Sequence, residues 1–362
     1  LTFFLYREKF SKAISPVLSA FISLTYISFI FWAGFSYFYA INPTEVLVNI
    51  TRQVNVLFMF LAMGILLYGI KQRRAFISWT ITLVLGVEIY AVLAEALEMV
   101  NTTGFISSGT LKGVTANRNI TAFSLAIKIP FVLYLVYSLK KESLKIVLSV
   151  LVFFTILGLS MIQSRASFIA TGLILVSYTI LHLYLYIKKE RKISQLLQIG
   201  FFVAPLVLAL VVNQMVIADK GADALSRAAT ISVSTNDGSV NQRLRYYEDV
   251  LTHMKSNPIL GTGLGNWKLK SIDYDSKDII GYVVPYHAHS DFIQLGAELG
   301  IIGFLLYLGL FLLAVYYVYI LLRYSTYSLE EKVFLFLLLT ALGVYSVDAN
   351  LNFPIARPQV LV

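Results

Sequence analysis

The chain has 362 residues, of which 58% are hydrophobic and 14% charged, and it holds no cysteine. A soluble domain is about half apolar and a quarter charged, so the composition excludes that class and indicates a multi-span membrane protein; the lack of cysteine excludes disulfide frameworks and thiolate metal sites. The net charge of +9 reads as Lys and Arg in cytoplasmic loops rather than as a nucleic-acid footprint.

A helix that crosses a bilayer needs roughly 20 mostly apolar residues. Runs of that kind lie near 17–39, 47–70, 75–97, 120–139, 143–162, 166–187, 195–217, 296–321 and 332–347. The expected fold is an all-α integral membrane protein, a polytopic bundle of about nine transmembrane helices. Three parts follow in order. Residues 1–217 hold helices one to seven, 218–295 form a long loop domain with short helices, and 296–362 hold helices eight and nine with an outer-face C-terminal segment. The first run is too long for the core of a signal peptide. The chain opens at Leu1 and closes at Val362 within an apolar stretch, so further spans are expected beyond both ends.

The short loops alternate in charge. Arg7, Lys9 and Lys12 precede the first run, Lys71, Arg73 and Arg74 follow the second, and Lys140, Lys141 and Lys145 follow the fourth. "KKERK" (188–192) follows the sixth, and Arg323 and Lys332 flank the loop after the eighth. Positive loops stay in the cytoplasm, which puts 42–45, 98–119, 162–165, 218–295 and 348–358 on the outer side. Those segments carry specific polar residues while the inward loops carry only charge, so function is expected on the outer face.

Within the long loop, "NQRLRYYEDVLTHMKSN" spaces Leu244, Tyr247, Val250, Leu251 and Met254 as an amphipathic helix, and Asn257-Pro258 ends it. "GTGLGN" follows. It lacks the preceding strand of a dinucleotide fingerprint, so its glycines are expected to make a tight turn that returns the loop to the membrane. Asn-x-Thr triplets at Asn49, Asn101 and Asn119 are patterns a chain of this length contains by chance.

"PYHAHSDFIQLGAELG" (285–300) crowds titratable groups at the edge of a membrane helix. A helix starting near Ser290 would take that serine as N-cap and Asp291 in its first turn. Asp291, Gln294 and Glu298 would then share one face. His289 would sit just outside the positive helix end, a field that favours neutral imidazole able to accept a proton. Simple interfacial hydrogen bonding of these groups is the competing reading, and His287-x-His289-x-Asp291 is a weaker metal pattern. The outward cations are Arg118, Arg165, Arg243 and Arg245, with Lys128 inside the fourth span two residues before Pro130. Arginine holds phosphate oxygens bidentately and stays charged, so these residues suggest a site for a lipid diphosphate; snorkelling is the alternative. Glu88, Glu95 and Glu98 line one face of the third span and are expected to pair with Lys128 or the arginines.

In this order the motifs resemble the O-antigen ligase family, which includes lipopolysaccharide O-antigen ligases, O-antigen polymerases and related bacterial oligosaccharyltransferases. The likeness runs from the third span to the ninth and is strongest over 240–304. There "NQRLRYYEDVLTHMKSNPILGTGLGNW" is similar to the family's Arg-bearing helix, Asn-Pro and Gly-x-Gly. "HAHSDFIQLGAELGIIGF" is similar to its His-Asn/Ser pair and Gly-x-x-Gly, while "QSRASFIA", "GVTANRNITA" and "NPTEVLV" resemble smaller motifs. Ser290 stands where the family often has Asn, and His287 adds a second histidine.

The resemblance implies a GT-C-like, metal-independent inverting glycosyltransferase without cofactor. It would sit in the bacterial inner membrane with its active site on the periplasmic face. It would move a glycan from undecaprenyl diphosphate to a hydroxyl, with lipid A–core as the expected acceptor and an O-unit or a protein as alternatives. His289 would be the catalytic histidine, Arg165 and Arg243 the diphosphate holders, and Arg118, Arg245 and Lys128 secondary donor contacts. His287, Asp291, Gln294, Glu298 and Asn119 would support them. A transporter or flippase of polyprenyl-linked sugars is the reading from another class. The missing inverted repeat, the asymmetric long loop and a histidine at the membrane surface weigh against it.

Overall fold

A computed structural model describes residues 7–107, 109–188, 191–216, 238–275, 286–324 and 326–356. The described residues form helices joined by short turns, without a strand. In chain order the helices are α1 (Arg7–Leu18), α2 (Phe21–Phe35), α3 (Pro43–Tyr68), α4 (Arg73–Thr103), α5 (Arg118–Ser138), α6 (Glu142–Ile162) and α7 (Arg165–Lys188). There follow α8 (Ser194–Val216), α9 (Gly238–Ser256), α10 (Trp267–Lys270), α11 (Ile272–Asp275), α12 (Asp291–Tyr324) and α13 (Leu329–Leu351). Among the described residues, nine helices are long and apolar enough to cross a membrane, one for each run read from the sequence. The protein is a multi-pass membrane protein.

Local chemistry sets the helix ends. Asn42 caps α3 by accepting from the Thr44 N–H at 3.0 Å, with Pro43 in the first turn and Glu45 behind it. Asn117 caps α5 through the N–H groups of Asn119 and Ile120. Gly104 ends α4 in the left-handed conformation, at φ 81°.

Two starts differ from the sequence reading. The first predicted span opens at Val17, yet Ala20 is extended there and α2 begins only at Phe21. Pro16 withdraws a backbone donor near the end of α1. The eighth run, predicted from 296, begins five residues earlier at Asp291 and breaks at Gly300, whose φ 67° and ψ −170° are not helical.

The helices divide into two compact units. The first comprises 1–71, 233–317 and 349–362. Its core gathers Phe29, Val46, Leu264, Leu299 and Tyr307, and a smaller cluster joins Val250, Trp267, Ala288 and Ala297. The glycine loop 261–265 is built into the break at Gly300. The break frees the Ala297 and Glu298 carbonyls, which accept the N–H groups of Thr262 (3.0 Å) and Gly263 (2.8 Å). The Leu299 carbonyl accepts the Trp32 indole N–H at 2.8 Å, and the Ile301 N–H donates to Pro258 at 2.9 Å. Four backbone groups at the break are thus satisfied by distant segments. Gly261 lies so close to the 297–298 backbone that a Cβ would collide with it. Gly261 thus serves close approach, while the positive φ of Gly263 (92°) and Gly265 (76°) fits the tight turn expected from the sequence.

His253 on α9 is buried against Trp267, with Nδ1 3.1 Å from the Tyr274 hydroxyl. Burial lowers its proton affinity, and nearby Lys270 pushes the same way. Above about pH 6.5 the imidazole is neutral folded or unfolded and costs nothing. As pH falls below that value the unfolded chain binds the proton first, so stability drops until the lower folded value is passed. Amide protection factors across 246–274, with the pH dependence of intrinsic exchange divided out, are expected to be lower at about pH 5.5 than at about pH 7.5, and His253→Phe to flatten that difference.

The second unit comprises 72–232 and 318–348. Its centre is α5, buried along most of its length. Arg74 of α4 pairs with Glu331 of α13 at 2.6 Å, and Tyr134 of α5 donates to Glu330 at 2.8 Å. Of the three glutamates on α4, Glu88 pairs with Lys128, as expected. Glu95 instead accepts the backbone N–H groups of Lys112 and Gly113, which pins the loop after α4.

Candidate functional site

The first unit holds the histidine pair. Ser290 caps α12, its Oγ accepting from the Ile293 N–H at 3.5 Å, and Asp291 occupies the first turn. His289, just before the cap, is left-handed at φ 56°, a conformation that is uncommon outside glycine and in which Asn, Asp and His are enriched. Two consecutive tyrosines of α9 grip it. The Tyr246 ring stacks on the His289 ring, centroids 6.1 Å apart and planes 10° from parallel. The Tyr247 hydroxyl bonds the His289 carbonyl at 3.2 Å and the Asn350 carbonyl at 2.7 Å. Burial raises the Tyr247 phenol above its ordinary value against the opposing pull of Arg243, so it stays a donor.

Residues after α13 fold over the pair. Phe353 stacks on His287 at 3.9 Å and meets His289 edge-on at 5.6 Å. The Ile355 N–H donates to Asp291 at 2.9 Å. Arg243 and Arg245 are half-buried on α9, and Arg243 sits one turn before Tyr247. The structure therefore ties the helix bearing both arginines to the loop bearing His289.

Asp291, Gln294 and Glu298 share a face of α12, as their spacing indicated, and line a cavity of about 260 Å³. Glu298 is nearly fully buried. It accepts from the Gly265 N–H at 2.8 Å and the Gln294 amide at 3.0 Å, so it anchors the glycine loop. His287 lines the cavity; His289 is not among the lining residues. The opposite wall comes from α3 and the glycine loop, with Asn49, Arg52, Gln53 and Lys268. Sequence reading singled out neither Arg52 nor Lys268. The available signal was Asn49, Arg52 and Gln53 at helical spacing on an otherwise apolar span. Among the described residues, no group of three or more His, Asp and Glu side chains is placed to hold a metal ion, so the His-x-His-x-Asp pattern does not converge.

The second unit holds the other predicted residues. Arg165 opens α7 after a two-residue reversal in which Gln163 is left-handed, and it is half-buried. Arg118 is exposed in the first turn of α5, its guanidinium donating to the Gly109 carbonyl at 3.1 Å. Asn119 follows it, half-buried. Lys128 is committed elsewhere: its ammonium contacts both Glu88 oxygens, at 3.0 and 2.8 Å. Removing one partner of a largely buried pair strands the other, so Glu88→Ala is expected to cost about 3 kcal/mol. The double variant Glu88→Leu/Lys128→Met should melt close to the native protein, as read by thermal unfolding in detergent. Retained glycan transfer in that double variant would remove Lys128 from the donor contacts.

Residues 148–308 match the family model described as O-antigen ligase. The matched segment runs from α6 into α12 and includes Arg165, Arg243, Arg245, His287, His289 and the polar face of α12. No curated protein matches the chain. Over this segment the chain is similar to the O-antigen ligase family.

Proposed function

We propose that the protein is a membrane glycosyltransferase that moves a glycan from undecaprenyl diphosphate to an acceptor hydroxyl at the periplasmic face of the bacterial inner membrane, with lipid A–core as the acceptor. The observation that carries this reading is the seat of His289. It stands at the N-terminus of α12, gripped by Tyr246 and Tyr247 of the helix that also carries Arg243 and Arg245. A base and phosphate-binding cations on one unit are what transfer from a diphosphate requires.

In the proposed step the acceptor oxygen bonds to the anomeric carbon as the bond to the diphosphate oxygen breaks. The hydroxyl proton passes to His289, and undecaprenyl diphosphate leaves with its charge held by arginine. One displacement inverts the anomeric centre. Arg243 is assigned to the diphosphate by its place beside the histidine loop, Arg165 by its motif. Arg245, Arg118 and Asn119 are assigned as secondary contacts. No nucleotide is needed, because the lipid-linked donor already carries the energy. The orientation rests on the positive loops, several of which follow or precede the same ends of the helices.

Deleting the coding sequence and resolving surface glycans on gels tests the reading. Unmodified lipid A–core with accumulated lipid-linked polymer is the expected result. Core bearing a single repeat would indicate a polymerase, and lost glycoproteins beside intact polysaccharide a protein-directed transferase. Unchanged glycans in all three classes would overturn glycan transfer.

A further inference from the structure

The cavity walled by α3, the glycine loop and α12 is not used by the step above. Its volume, about 260 Å³, lies just under the roughly 300 Å³ lower bound of small-molecule pockets, which fits one sugar ring rather than an oligosaccharide. Its lining mixes donors and acceptors at close range. Asn49, Gln53 and Gln294 present carboxamides, Arg52 and Lys268 present cations, and Glu45, Asp291 and Glu298 present carboxylates. A sugar hydroxyl both donates and accepts, so such alternation suits a polyhydroxylated ring.

The charges speak against a phosphate. Of the two lining cations Lys268 is already paired with Glu45, so the lining lacks the cluster of available cations that a diphosphate needs. The carboxylates are also anchored: Glu45 pairs with Lys268 at 2.8 Å, Asp291 accepts from Ile355, and Glu298 accepts from Gly265. Their geometry is therefore fixed before a ligand enters. Arg52 differs. It is half-buried, and among the described residues its polar contact is the neutral Asn49 side chain at 3.2 Å, with no carboxylate partner. Its guanidinium keeps donors available to a ligand oxygen.

From this geometry we infer that the cavity is the subsite for a sugar ring of the acceptor next to the one that presents its hydroxyl to His289, with Arg52 and His287 as its binding residues. The inference rests on the glycosyl-transfer reading. The donor's first sugar is bonded to the diphosphate and must stay beside the cations that hold it. Arg243 and Arg245 are not in this lining, which leaves the cavity to the acceptor.

The test uses the full chain in nanodiscs and four probes: the methyl glycosides of glucose, galactose, N-acetylglucosamine and a heptose. Saturation-transfer NMR should show at least one of them bound. Arg52→Leu should cut that signal at least about fivefold. Val48→Trp should abolish it by filling the space. Val48 lines the cavity and is 55% exposed, so the substitution spares the core and keeps the test open if Arg52→Leu fails to fold. Binding of a labelled lipid-linked donor should stay within about twofold in both variants, and the acceptor KM should rise with little change in kcat. If no glycoside signal is sensitive to Val48→Trp, the subsite is overturned. Loss of donor binding in the same variants would overturn its assignment to the acceptor. Failure of the transfer reading shows separately, as unchanged surface glycans in the deletion strain.

Discussion

Replacing His289 with alanine is expected to lower the rate of glycan transfer by about 10²–10⁴-fold, the span typical of a lost general base, while the lipid-linked donor still binds. A complication arises from the backbone. His289 is left-handed, at φ 56°, and alanine there carries a strain of about 1–2 kcal/mol. Rate loss in His289→Ala alone would therefore mix lost chemistry with a shifted loop. His289→Asn separates the two, because asparagine visits this region readily yet offers no base. Single-turnover transfer in detergent should fall by the same factor in both variants. Full activity in His289→Asn would remove the base and leave His289 a conformational role. His287→Ala should behave differently, raising the acceptor KM more than it lowers kcat, since His287 lines the cavity.

The parts legible in the sequence were those set by short-range rules. Nine apolar runs became nine helices because length and hydropathy decide a span. The helix carrying Arg243, the Ser290 cap and the shared face of Asp291, Gln294 and Glu298 followed from 3.6-residue spacing and capping chemistry. The Glu88–Lys128 pair was legible for a different reason: two opposite charges inside apolar spans have few other ways to be satisfied. What stayed hidden depends on contacts between distant segments. Phe353 stacks on His287, Ile355 bonds Asp291, and Tyr247 ties His289 to Asn350. No local pattern announces such pairs. Arg52 went unremarked because an arginine near a span end ordinarily snorkels. Only the fold of the glycine loop makes it a cavity wall.

The break at Gly300 supports the strongest structural prediction. Gly300→Ala is expected to destabilise the first unit by more than about 3 kcal/mol, adding backbone strain at a glycine-only conformation to a steric clash. A Cβ there would overlap the Ile259 carbonyl, and the turn after Pro258 cannot retreat without losing the bond from the Ile301 N–H. The consequence should spread along a defined path. If Ile259 moves, the N–H groups of Thr262 and Gly263 leave the Ala297 and Glu298 carbonyls, and Gly265 leaves the Glu298 carboxylate. One wall of the cavity is then lost, and with it the acceptor subsite. Limited proteolysis should cut first within 257–271, before the membrane helices melt. A protease pattern identical to native at matched temperature would show that the break tolerates a side chain and that the glycine loop is held by something other than these backbone bonds. By contrast, Gly172→Ala, with open space around the site, should leave both the proteolysis and the melting temperature near native. That difference would place the sensitivity in the docking of the loop rather than in glycine content as such.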